Sequence, residues 1–130
     1  MRFRYVIFFI VLFAVACDDV SFSPLIGKWQ LKTVERDGEK AVVDTVWYNF
    51  QSISIFSVQI YTPQNESYTS FFGLRTQEDK VIHIQLQEER IVGYCSDWNS
   101  ATRSFTIEKL NKNSLILRSE EGYKYSFIKF

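Results

Sequence analysis

Histidine and cysteine are nearly absent from this chain, and their scarcity removes whole classes of chemistry. It holds one histidine, His83, and two cysteines, Cys17 and Cys95. Zinc sites are usually built from three or four nitrogen and sulfur ligands, so neither a metal site nor a cofactor is expected. Cys95 and His83 would be the sole nucleophile and base of their kind, and no oxyanion-hole motif or orienting partner stands near Gly93 to Asp97, so the chain does not read as an enzyme. Glu88 and Glu89 are adjacent and would point to opposite sides of a strand, a poor acid and base couple. A basic excess is missing too: 15 Lys and Arg face 15 Asp and Glu, which argues against a nucleic-acid partner. Apolar side chains recur at helical spacing in no window long enough for a helix.

Only one long apolar run occurs. Residues 5–16 carry no charge, yet these 12 residues fall short of the roughly 20 needed to cross a bilayer as a helix. Arg2 and Arg4 precede the run, the outline of a secretory signal. It ends Ala14-Val15-Ala16-Cys17, which resembles the lipobox of bacterial lipoproteins, with Ala14 where that family usually has leucine. The resemblance implies a signal peptide over 1–16, palmitate-type acylation of Cys17, and a tether over 17–24. An ordinary signal peptidase site after Ala16, leaving Cys17 a free thiol, fits the same residues. Acyl chains contribute about 0.8 kcal/mol per buried methylene, so two or more hold a soluble domain on a membrane. The expected partner is then the membrane, through the lipid on Cys17. The expected location is a Gram-negative cell envelope, with the outer membrane favoured on its periplasmic or surface face. Asp18 and Asp19 read either as a sorting signal or as a solvated linker.

Removing residues 1–16 leaves 114 residues, enough for one domain, here 25–130. With Cys17 lipidated, Cys95 has no partner for a disulfide, so the fold must hold by its core. Alternating apolar and polar residues predict eight strands, at 28–36, 43–51, 53–61, 68–77, 80–87, 104–110, 114–119 and 123–130. Asp37-Gly38, Pro63-Gln64-Asn65, Glu78-Asp79, Asn111-Lys112-Asn113 and Glu120-Glu121-Gly122 supply tight turns between them. The longer connection at 88–103 is the place for specific work, with a short extra strand expected at Ile91 to Tyr94. Eight antiparallel strands with one apolar face are best closed into an up-and-down barrel, which removes exposed edges.

Gly27-Lys28-Trp29 opens the first strand and resembles the Gly-x-Trp signature of lipocalins. With the lipoprotein-like start and the eight-strand meander, the chain looks like a small lipocalin-like bacterial lipoprotein. That resemblance implies a barrel whose closed end is plugged by Trp29, with a cup at the other end for an apolar or amphipathic molecule. Tyr48, Phe50, Phe72, Tyr125 and Phe127 fall on faces expected to turn inward, as core or as ligand contacts. Trp98, in the long connection, is either a lid over the mouth or a buried plug. Asp44-Thr45-Val46 matches an O-glycosylation pattern of some Gram-negative bacteria, with Thr45 the acceptor. Two functions are expected: a lipid-anchored module binding a small apolar or amphipathic molecule, or a non-catalytic subunit with a filled barrel that docks on an envelope protein or glycan.

Overall fold

The computed structural model describes residues 24–130, so the expected signal peptide, Cys17 and most of the tether lie outside the described residues. From Gly27 the chain forms one antiparallel sheet: β1 (Gly27–Arg36), β2 (Glu39–Val42), β3 (Val46–Phe50), β4 (Ile55–Thr62), β5 (Ser67–Glu78), β6 (Val81–Leu86), β7 (Thr102–Leu110), β8 (Ser114–Ser119) and β9 (Lys124–Lys129). β2 and β3 both pair with β1, every later strand from β4 on pairs with the one before it, and β1 also pairs with β9 from Trp29↔Lys129 to Glu35↔Lys124, which closes the barrel.

The expected second strand, 43–51, corresponds to β3, and a strand that the pattern did not predict, β2, precedes it. Asp37 and Gly38 both take positive φ, 54° and 80°, the geometry of a tight hairpin turn, so the chain reverses at once into β2. β2 pairs with the outer half of β1 (Thr33↔Val42 to Arg36↔Glu39), and β3 pairs with its inner half (Gly27↔Phe50 to Gln30↔Trp47). Together they occupy one place in an eight-strand barrel. β2 escaped the sequence pattern because all four of its residues, Glu-Lys-Ala-Val, are exposed, leaving no alternation to read.

Ile91–Tyr94 forms one helical turn, α1, and not the short strand expected. Ile91 alone of those four is buried, so no alternating face exists to pair with a sheet. The predicted inward face of the fourth strand is also corrected at one residue. Phe71, Gly73 and Arg75 of β5 point inward, and Phe72 points out, 48% exposed. Ser57↔Phe72 and Ile55↔Leu74 share that outer face with it.

The interior is a continuous core of aromatic and aliphatic side chains. At the end where β1 begins, Trp29 is fully buried, and its indole Nε1 donates to the Leu25 carbonyl at 2.9 Å. Gly27 has φ +132°, and any side chain there would collide with the Lys129 ammonium. That ammonium donates to the Ile26 carbonyl at 2.8 Å and sits 4.6 Å from the centre of the Trp29 ring. We call this the closed end; the opposite end, reached by the β6–β7 connection, is the mouth.

Candidate functional site

At the mouth, the 87–101 connection folds back into the barrel. Ile91, Cys95, Trp98 and Ala101 all join the core. Trp98 is 1% exposed, and its Nε1 donates to the Tyr48 hydroxyl at 3.1 Å. The plug reading of Trp98 is the one that fits this geometry, and the cup implied by the lipocalin resemblance is occupied by the protein's own loop.

Tyr48, at the centre of β3, gathers the other candidates. Its ring lies 4.9 Å from Phe127, 5.5 Å from Phe56, 6.0 Å from Phe105 and 6.3 Å from Trp98. Tyr125 and Phe127 stack at 6.4 Å, and Phe50 packs on Phe56 at 5.0 Å. These are the offset and edge-on contacts of an aromatic core. The structure therefore brings five of the six candidates together, as mutual packing, and leaves Phe72 outside.

Between this core and solvent lies a charged group that strand patterning missed. The Arg103 side chain, from β7, is fully enclosed. Its Nη1 donates to Asp97 Oδ2 at 3.2 Å and its Nε to Glu121 Oε1 at 3.1 Å. Nη2 is 3.0 Å from the same Glu121 oxygen but is not aligned for a hydrogen bond. The guanidinium also lies 5.3 to 5.6 Å from the rings of Trp98, Phe105, Tyr123 and Tyr125. Tyr125 donates to Asp97 Oδ2 at 2.7 Å. Burial pulls the Arg103 pKa down, yet the surrounding tyrosines and the Asp97 and Glu121 carboxylates outweigh it, and the net shift is upward. Burial raises both Tyr48 and Tyr125 well above the usual phenol value, and Asp97 adds to each. A buried cation with two carboxylates and four rings around it is a locked assembly, because removing one partner leaves a buried charge uncompensated.

Outside this lock is an open cleft of about 620 Å³, lined by Val34, Arg36, Asp37, Glu39, Lys40, Ala41 and Val43 of the β1–β2 arm and by Ser96, Asp97 and Tyr123. None of the six aromatic candidates lines it. Arg36 ties the arm to the opposite wall, donating to the Tyr123 hydroxyl at 3.0 Å with its guanidinium 4.8 Å from the ring centre. The hydrogen bond to Tyr123 raises the Arg36 pKa. The lining combines aliphatic carbons with both signs of charge, so it suits an amphipathic molecule better than a purely apolar one.

His83 and Cys95 do not meet. His83 is exposed on the outer face of β6, with its Nδ1 2.7 Å from the Ser104 hydroxyl, whereas Cys95 is buried in the core. Burial, then the Asp97 carboxylate, pushes the Cys95 thiol up to about 12, so at neutral pH it is no thiolate. Among the described residues no cluster of three or more His, Cys, Asp or Glu could hold a metal ion. No helix among them is long and apolar enough to cross a membrane.

A closed eight-strand antiparallel meander, opened by Gly-x-Trp and plugged at one end by that tryptophan, defines a lipocalin-type barrel. The family model for a lipocalin-like domain matches residues 11–130, and the chain belongs to that family. A lipocalin-like protein from Bacteroides uniformis ATCC 8492 has a crystal structure 34% identical in sequence, with a TM-score of 0.75 over 83% of this chain and 100% of that one. An uncharacterized protein from Bacteroides eggerthii DSM 20697 is 26% identical, with a TM-score of 0.71 over 82% of this chain and 99% of that one. No curated protein matches the chain.

Proposed function

We propose that this chain is an envelope lipoprotein, held on the outer membrane by acylated Cys17, whose lipocalin-like domain binds a small amphipathic molecule in the mouth cleft. The cleft carries the reading: it is the roomy concavity at the end where lipocalin-type barrels open, and its lining mixes Val34, Ala41 and Val43 with Arg36, Lys40, Glu39 and Asp97. The barrel interior is filled by rings in contact, so the ligand rests against the plug and not beneath it. Binding by shape and charge needs no catalytic group.

Native mass spectrometry of protein purified from its host tests this. Wild type should retain a small molecule, and Ala41→Trp, which fills the cleft from an exposed position, should lose it with little change in melting temperature. Retention by Ala41→Trp would refute the assignment. The anchor is tested separately: Cys17→Ser should move the protein from the membrane fraction to the soluble one, and continued sedimentation with membranes would refute it.

A second reading, a filled subunit that docks on another envelope component, draws on the outer face of the barrel. There Trp47 packs 6.1 Å from Tyr68 and 5.9 Å from Phe130, and Tyr68 and Phe130 are 61% and 68% exposed. Co-purification of an envelope protein or glycan, without a small molecule, would favour it. Thr45, partly exposed at the bend between β2 and β3, is the proposed acceptor for O-glycosylation.

A further inference from the structure

The barrel encloses a second arginine, at the closed end, and its surroundings differ from those of Arg103 in one respect. Arg75, on β5, is 4% exposed. Its Nε donates to the Ser52 carbonyl at 2.9 Å, its Nη1 to Gln77 Oε1 at 3.3 Å, and its guanidinium lies 5.3 Å from the centre of the Phe50 ring. Among the described residues no carboxylate lies within ion-pairing distance of it, and Nη2 has no hydrogen-bond partner in the protein and is open to the solvent of a cleft. A cation removed from water is ordinarily paired or coordinated. Arg103 follows that rule with two acids; Arg75 follows it only with neutral carbonyl oxygens.

Arg75 lines an open cleft of about 520 Å³ with Ile26, Ile53, Ser54, Thr76, Gln77 and Asp79. Ile53 is 77% exposed at the rim. We propose that this cleft is an oxyanion site: Arg75 Nη2 takes a phosphate-type oxygen, and Ile26 and Ile53 receive an apolar body attached to it. A planar guanidinium held by its other nitrogens is suited to that task, since its free edge is already oriented. Burial lowers the Arg75 pKa, the direction expected where no carboxylate offsets desolvation, whereas Arg103 shifts upward. Asp79 is the acid facing the cleft; it is exposed, held in the β5–β6 turn at φ 55°, and works against anion binding.

The chain enters the barrel at Ile26, so a headgroup phosphate in an anchoring membrane and a free phosphate are both sources of this chemistry. The test uses the full chain in detergent, melted in inorganic phosphate and in chloride at equal ionic strength. Wild type and Arg118→Met, which alters only an exposed ion pair with Glu108, should gain several degrees in phosphate. Arg75→Met should lose that gain, and Asp79→Asn should enlarge it. Excluded-anion stabilisation acts on all variants alike, so an equal gain in Arg75→Met overturns the proposal. Should that variant fail to fold, the Arg75 Nε–H resonance of wild type must shift and saturate with phosphate; an unmoved resonance is equally fatal. Short-chain phosphatidylglycerol binding at least tenfold tighter than inorganic phosphate assigns the site to a lipid headgroup, and equal affinity assigns it to a free phosphate.

Discussion

Trp98→Ala should be among the most damaging single changes in this domain, although Trp98 lies in a loop. Its ring is 1% exposed and contacts Tyr48 and Phe105, and it forms one face of the Arg103 cage. Truncating a buried tryptophan to alanine costs about 3 to 5 kcal/mol through lost transfer energy and the cavity left behind. The Tyr48 hydroxyl, fully buried, also loses its donor, worth about 1 kcal/mol. Because the surroundings relax, these do not add fully, and about 4 kcal/mol is the working figure. For a domain near 100 residues, 1 kcal/mol moves the midpoint by about 4 to 8 °C, so a fall of about 16 to 32 °C is expected. Thermal and urea melts monitored by circular dichroism measure it directly. Indole, added to the variant, should restore part of the loss by refilling a dry apolar cavity. A midpoint within two or so degrees of wild type would mean that Trp98 is a mobile lid, and the stoppered mouth would be wrong.

Neighbouring residues on β5 give a paired test of the facing assignment: Phe71→Ala should cost about 3 to 5 kcal/mol and Phe72→Ala well under 1, read from urea midpoints. Gly27→Ala should destabilise by about 1 to 3 kcal/mol, since φ +132° is strained for alanine and Lys129 must leave its place over Trp29. The thiol of Cys95 is held protonated in the fold up to about pH 12, while the unfolded chain releases that proton near 9.0. Stability should therefore fall as pH rises from 9 toward 12, by about 1.4 kcal/mol per unit from this group, and Cys95→Ala should flatten the fall between 9 and 10. At pH 8 a thiol reagent should modify Cys95 only as fast as the domain opens.

Much of the barrel is legible in the sequence because alternation and turn chemistry agree. Ile82, Ile84 and Leu86 against His83, Gln85 and Gln87 give β6 its faces without ambiguity, and the structure keeps them. β2 is not legible because a strand with both faces in water carries no pattern. The two buried arginines were obscured for different reasons: turning Phe72 of β5 inward turns Arg75 out by strict alternation, whereas Arg103, two residues before Phe105 and so on its inward face, was hidden by its charge. A charged residue at a strand's end reads as a turn unless its counter-ions are known. Those counter-ions, Asp97 and Glu121, come from separate connections, and only the closed fold brings them to Arg103. The plug at the 87–101 connection was legible only as one of two readings of Trp98, because Ile91, Cys95, Trp98 and Ala101 follow no strand or helix period, and they share a face only because the loop folds into the mouth.

We propose that this barrel, stoppered by its own loop, binds a small molecule at the surface of the stopper. A crystal structure of the protein carrying the molecule it retains from its host tests that most directly. The molecule is expected between the β1–β2 arm and Ser96–Asp97, contacting Arg36 or Lys40, with the Trp98 to Tyr48 hydrogen bond intact. A molecule seated among Tyr48, Phe105 and Phe127, with Trp98 swung out of the mouth, would contradict it.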